Sequence, residues 1–204
     1  MTKYFNLMIS LCLFAGIVAV LGCGGSSEEG STDASTTESS VISNMTSIEE
    51  LKSRFNSAGG IRLILVLSST CKTCIDGGKY VQKEILDKIP DEPVTVYAIW
   101  TAIDRKDTPD NVDPSILSDS RVSHFWDVGG NIGTWFANQE MYVNEKIEGP
   151  VAFNFFSLHD ADAQWDDTPM PLASFGGGGG NGTIMRWRGD INRDVNRLLN
   201  GETT

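Results

Sequence analysis

Apolar residues fall into three kinds of block along the chain. From Leu7 to Leu21 they are almost unbroken, from Gly24 to Asn44 they all but vanish, and from Thr46 onward they recur at helix or strand spacing. Ile48, Leu51 and Phe55 share one helical face behind Ser47 and Glu50, a pair at capping-box spacing, and Gly59-Gly60 ends that helix. Ile61 to Leu67 is short, apolar and rich in branched residues, the pattern of a buried strand. Ser68, Ser69 and Thr70 turn the chain, and Ile75, Gly78, Val81, Ile85 and Ile89 then follow at helical spacing. A turn at Pro90–Pro93 leads to a second strand, Val94 to Trp100. The intervening helix makes it parallel to the first, by the right-handed crossover rule.

Beyond Trp100 the pattern is less regular. Residues 101–148 read as an insertion that opens with a loop containing Asp104, Asp107, Pro109, Asp110, Asp113 and Pro114. The mixed spacing of Ile116 to Trp126 predicts a short helix, and Ile132 to Met141 another, with Phe125, Trp126, Trp135 and Phe136 mostly in the core. Pro150 opens a strand that runs to Leu158, a position where proline is tolerated. A loop from His159, a flexible link at Gly176 to Gly180 and Gly182, and an edge strand at Ile184 to Arg188 come next. A final amphipathic helix is capped by Asp190 and stopped by Gly201. No Gly-Lys-Ser/Thr follows the glycines, so they do not form a phosphate-binding loop.

The 204 residues allow one domain with additions. A formal charge of −11 and the lack of a basic stripe argue against a nucleic-acid partner. Residues 1–22 have the form of a secretory signal, with Lys3 ahead of the apolar core, too short to be a convincing membrane span. Val20-Leu21-Gly22-Cys23 resembles a bacterial lipobox, which implies cleavage before Cys23 and a diacyl group on its sulfur. Leu21 is larger than usual at its position, and an ordinary signal with an incidental cysteine is the alternative. Residues 23–45, rich in Ser, Gly and Glu, then read as a disordered tether to the membrane surface, and 46–204 as the folded domain. With Cys12 removed and Cys23 blocked, Cys71 and Cys74 are the free thiols of an exported chain. Export permits disulfides, so an intramolecular bridge is their default state.

Cys71 and Cys74 stand three apart at a strand-to-helix junction. There the first sulfur meets unpaired backbone N–H groups and the positive end of the helix dipole, which lower a thiol pKa. A zinc site would need a second Cys or His pair at ligand spacing. This arrangement resembles the thioredoxin superfamily, from Ile61 to the C-terminus, and the phrase Leu117–Asp127 is similar to one in uncharacterised bacterial thioredoxin-like proteins. The resemblance implies an α/β thioredoxin-like fold, a central mixed sheet flanked by helices, with a helical or loop insertion before the proline-led strand. It implies thiol–disulfide exchange on exported protein thiols, with Cys71 as nucleophile and Cys74 as resolving thiol. Lys72 and Thr73 would support them, and Pro150 would be a cis-proline facing the pair. The pair's own disulfide would be the redox group, with no other cofactor, in a monomer.

The sequence departs from that pattern at Leu65, where reducing thioredoxins bury an acid, and at Thr70, where an aromatic is usual. Two other readings stay open: a redox-inactive interaction module, and a copper chaperone using Cys71, Cys74 and His159, although exported copper chaperones of this superfamily use CxxxC.

Overall fold

The computed structural model describes residues 41–140, 142, 149–166, 172–178 and 183–202. The chain divides into two compact units, 1–36 and 37–204, and every described residue belongs to the second. The signal segment, Cys23 and most of the tether therefore lie outside the described residues. Among those described, no helix is long and apolar enough to cross a membrane.

The elements are β1 (Ser43–Met45), α1 (Ile48–Ser57), β2 (Ile61–Leu67), α2 (Lys72–Tyr80), β3 (Val94–Trp100), β4 (Val122–Asp127), α3 (Asn131–Ala137), β5 (Phe155–His159), β6 (Ser174–Gly177) and α4 (Arg188–Leu199). The strands form one mixed sheet in the order β1-β4-β3-β2-β5-β6. The pairs from β1 to β2 are parallel, and β5 and β6 pair antiparallel. Strand, helix, strand, CxxC and helix begin the domain, and strand, strand and helix end it. The fold is thioredoxin-like.

β2 is apolar along its length because it is covered on both faces. Leu63, Leu65 and Leu67 enter one core with Cys74 of α2 and with Ile191 and Val195 of α4. Ile64 and Val66 enter the other, with Leu51 and Phe55 of α1 and Phe136 of α3. The exception is Arg62, buried to 1 % exposure, whose guanidinium donates to the carbonyls of Gly60, Ala161 and Ala163 and lies over the Phe55 ring. It fastens the loop after β5 to the start of β2.

Four predicted elements differ. The tether ends before Ser43, because β1 pairs with β4 and buries Met45 completely. Ile116 to Trp126 is not a helix: a short 3₁₀ turn, Pro114–Leu117, precedes strand β4. Strand β4 is covered on both faces, with Val122 in one core and Phe125 in the other, so its apolar residues do not alternate cleanly. The sheet thereby gains a strand between β1 and β3. Strand β5 opens at Phe155, not at Pro150, which is exposed in the segment before it.

The edge strand on the β5 side is Ser174–Gly177, which takes in the first two glycines of the expected flexible link. A Cβ on Gly176 would lie 2.6 Å from the Phe156 ring and 2.8 Å from that of Trp187, so glycine there permits close packing. With that edge filled, Ile184–Trp187 coils as a 3₁₀ turn straight into α4, which puts Asp190 in its first turn, not at its cap. Gly201, at φ +74°, ends the helix as expected.

Candidate active site

Strand β2 delivers its last residue, Leu67, into the core, and Ser68–Thr70 bend the chain so that α2 starts over the sheet end. Cys71 is the N-cap of α2, with extended backbone (φ −82°, ψ 107°) and no side chain capping the first turn. Its carbonyl accepts from the backbone N–H groups of Cys74 at 3.0 Å and Ile75 at 3.1 Å, which leaves the sulfur beside the open first turn of the helix. The Thr73 hydroxyl lies 3.2 Å from the same sulfur. Cys71 is partly exposed, and Cys74, one turn inward, is fully buried; both are free cysteines.

The two thiols are driven apart. Donation from the Cys74 thiol, opposed by partial burial and reinforced by Thr73 and the backbone N–H groups of the first turn, lowers the Cys71 pKa to about 5. Burial first, then the bond to Cys71 and the negative charge that forms there, push Cys74 far above the ordinary thiol range. At neutral pH Cys71 is a thiolate within reach of solvent, and Cys74 is a thiol holding its proton underneath.

A buried carboxylate fixes the turn that sets this geometry. Asp107, in the loop after β3, accepts from the Ser68 hydroxyl at 3.0 Å and the Ser69 hydroxyl at 2.9 Å. It also accepts from the backbone N–H groups of Thr70, Ile103 and Asp104 at 2.9, 2.9 and 3.0 Å. Burial alone would raise its pKa, but these donors overcome that and hold it at about 2. Leu65, where the resemblance looks for an acid, is an apolar core residue. The acidic group near Cys74 comes from the insertion.

The opposite wall of the site is Asn154, not Pro150. Asn154 is almost fully buried and takes φ +56°, a left-handed backbone that asparagine tolerates better than most residues. Its side-chain amide donates to Thr73 Oγ1 at 2.7 Å and lies 3.9 Å from the Cys71 sulfur. Its Oδ1 accepts from the backbone N–H of Ile184 at 3.3 Å, and its carbonyl from Gly178 N–H at 2.9 Å. Asn154 stands directly before β5, the place the resemblance gives to proline.

The other expected site residues separate. Lys72 is 85 % exposed in its side chain and pairs with Asp76, 2.5 Å away and one turn along α2. His159 sits at the far end of β5, opposite Arg62, with its ring edge-on to Phe55 and 3.1 Å from the Ser157 hydroxyl. Four residues of strand, roughly 13 Å, part it from the end of β5 nearest the thiols. The copper arrangement of Cys71, Cys74 and His159 does not form, and no cluster of three or more metal-ligating residues occurs among the described residues.

Asp107 is one aspartate among several in its loop, and Asn154 sits inside an apolar run, so neither stands out by residue type or spacing. The readiness of asparagine to take positive φ just before a strand was the one available signal.

No family model and no curated protein matches the chain. Solved structures similar to it include the oxidised form of a thioredoxin-like protein, at 19 % identity and TM-score 0.48, covering 75 % of this chain and 85 % of that one. Another is a candidate protein disulfide isomerase from Bacteroides thetaiotaomicron, at 15 % identity and TM-score 0.43, covering 70 % of this chain and 76 % of that one.

Proposed function

We propose that this protein performs thiol–disulfide exchange on other exported proteins, through Cys71 and Cys74, while held at a membrane by lipid on Cys23. The observation that carries the chemistry is the asymmetry of the two sulfurs: one is partly exposed, surrounded by donors and ionised, and the other is buried and protonated one turn away. An interaction module without turnover has no need of that division.

In the reducing direction, the Cys71 thiolate attacks one sulfur of a partner's disulfide. A Cys71–partner bond forms, and the partner's other sulfur leaves as a thiolate and takes up a proton. The Cys74 thiol then gives up its proton and attacks Cys71. The Cys71–Cys74 bond forms, the mixed disulfide breaks, and the partner's second sulfur leaves reduced. Two electrons pass to the partner. Run backwards from the 71–74 disulfide, the same steps oxidise a partner dithiol.

Replacing Cys74 by Ser in intact cells should leave partners joined to Cys71 on non-reducing gels, and Cys71→Ser should leave almost none. Adducts through Cys74 would reverse the roles. No adducts from either variant, with a bridge that resists reduction below about −300 mV, would leave a structural disulfide in a binding module. The anchor is tested separately: a fatty-acid probe should label the full chain and fail to label Cys23→Ala.

A further inference from the structure

We infer that Asn154 is a positioning residue that commits the Thr73 hydroxyl to donate its proton to the Cys71 sulfur. The inference rests on the exchange reading only in taking Cys71 as the attacking sulfur.

The direction of each hydrogen bond follows from which groups can donate. The Ile184 backbone N–H can only donate, so the atom of Asn154 that faces it at 3.3 Å must be the carbonyl Oδ1. The amide nitrogen therefore faces Thr73, 2.7 Å from Oγ1, and a side-chain NH₂ can only donate. Thr73 Oγ1 accepts that bond. Its single proton is left for its other close neighbour, the Cys71 sulfur at 3.2 Å. A free hydroxyl could turn either way. This one is locked as a donor along a chain from Ile184 through Asn154 and Thr73 to Cys71.

The fold holds each link of the chain. Gly77 lets the Ile184 turn lie against α2, where a Cβ would come 2.9 Å from that of Ile184. Gly177, at φ +96°, passes so close to Asn154 that a Cβ would lie 2.4 Å from its carbonyl oxygen, and the next residue's N–H bonds that oxygen. The amide cannot flip without setting its NH₂ against the Ile184 N–H. Among the described residues, the titratable groups around Cys71 are Cys74 beneath it, Lys72 with its partner Asp76 on the exposed side of α2, and Asp107 behind the Ser68–Thr70 turn. The segment before β5 faces it with Asn154.

A donor fixed on a thiolate stabilises the charged form only. The thiolate of the reduced full-length domain, followed by its ultraviolet absorbance from pH 3 to 9, reports this without any partner protein. Thr73→Val should raise the Cys71 midpoint by about one unit, a tenfold change in its protonation equilibrium, and Thr73→Ser should restore it. Asn154→Gly, which suits the left-handed backbone, should also raise the midpoint, and should add little in a Thr73→Val background because both act through one hydroxyl.

An unchanged midpoint in Thr73→Val overturns the inference. So does an Asn154→Gly shift of equal size in both backgrounds, which would make the amide act on sulfur directly. If Asn154→Gly does not fold, Asn154→Asp replaces it: a carboxylate keeps the bond from Ile184 N–H but can only accept from Thr73, so the midpoint should rise more in the wild type than in Thr73→Val, and an equal rise in both overturns the inference. A protein that shows the coupled shifts yet fails to exchange with a disulfide peptide would keep the relay and lose the exchange reading.

Discussion

The Ser68 hydroxyl lies 3.0 Å from one carboxylate oxygen of Asp107 and 3.1 Å from the other, in a buried pocket beneath the start of α2. That contact joins the turn before Cys71 to the loop after β3. The same carboxylate binds Ser69 and Thr70, so three successive residues ahead of the nucleophile are held by one side chain. The insertion therefore supplies a strand to the sheet and a fixed support under the site.

Replacing Asp107 by Asn should cost roughly 3 kcal/mol of unfolding free energy, because an amide sets N–H donors against the hydroxyl and backbone donors converging there. Chemical denaturation of the reduced protein measures it, and a loss below about 0.5 kcal/mol would show the pocket to be idle. The pH dependence has a definite sign. A carboxylate held at about 2, below the unfolded value of about 4, contributes fully above pH 4. Its contribution disappears as the pH falls toward 2, and Asp107→Asn should remove that part of the acid sensitivity.

The Cys71 thiol should react with iodoacetamide at a rate that climbs through a midpoint near pH 5 and is flat from about pH 6 to 8. Only the thiolate is the nucleophile, and Cys74 stays protonated and buried. Stability of the reduced form moves with it. Because the folded pKa lies below the unfolded thiol value, the thiolate's contribution is complete above about pH 8.5 and shrinks as the pH falls, vanishing below about 5. A reactivity midpoint near 8 would mean that the donors around Cys71 do not act on its charge.

Much of this was legible from residues alone. The continuous apolar run of β2 and the helical spacing after Cys74 placed the thiols at a strand–helix junction, where they are. Order and local spacing carry that information. They carry much less about which loop reaches the site. Pro150 fitted by sequence order, but the strand opens at Phe155 and Asn154 fills the wall, because the turn over Val151–Asn154 is set by packing against α3. Strand β4 was hidden because a strand buried on both faces loses the period of two. His159 shows the converse limit: a suitable spacing in sequence put a candidate ligand at the wrong end of β5.

That packing against α3 gives a test of how the wall is held. A Cβ on Gly133 would lie 2.5 Å from Val151 Cγ1 and 3.1 Å from the Ala152 carbonyl oxygen, and Ala152 N–H donates to the Gly133 carbonyl at 2.9 Å. Gly133→Ala should cost about 1–3 kcal/mol by overpacking. It should also move the 151–154 segment, and so weaken Asn154's hold on Thr73 and raise the Cys71 midpoint. A stability loss with an unmoved midpoint would show that Asn154 is held from β6 and Ile184 instead.

The last expectation concerns redox poise. A thiolate can be stabilised by its surroundings and a disulfide carries no charge to stabilise, so donors on Cys71 favour the reduced pair at neutral pH. Potentials of related dithiols run from about −270 to about −120 mV, and with Cys71 near 5 this pair should fall in the less negative half of that range. Equilibration with glutathione buffers, read from the fraction of bridged protein, measures it. Thr73→Val should shift the potential by about −30 mV, since one unit in the Cys71 pKa is about 1.4 kcal/mol and a two-electron couple moves about 30 mV for that energy. A wild-type value near −270 mV would show that other interactions of the disulfide outweigh the thiolate's. A potential unmoved by Thr73→Val, with the pKa shifted, would mean that the substitution destabilises the two redox states equally.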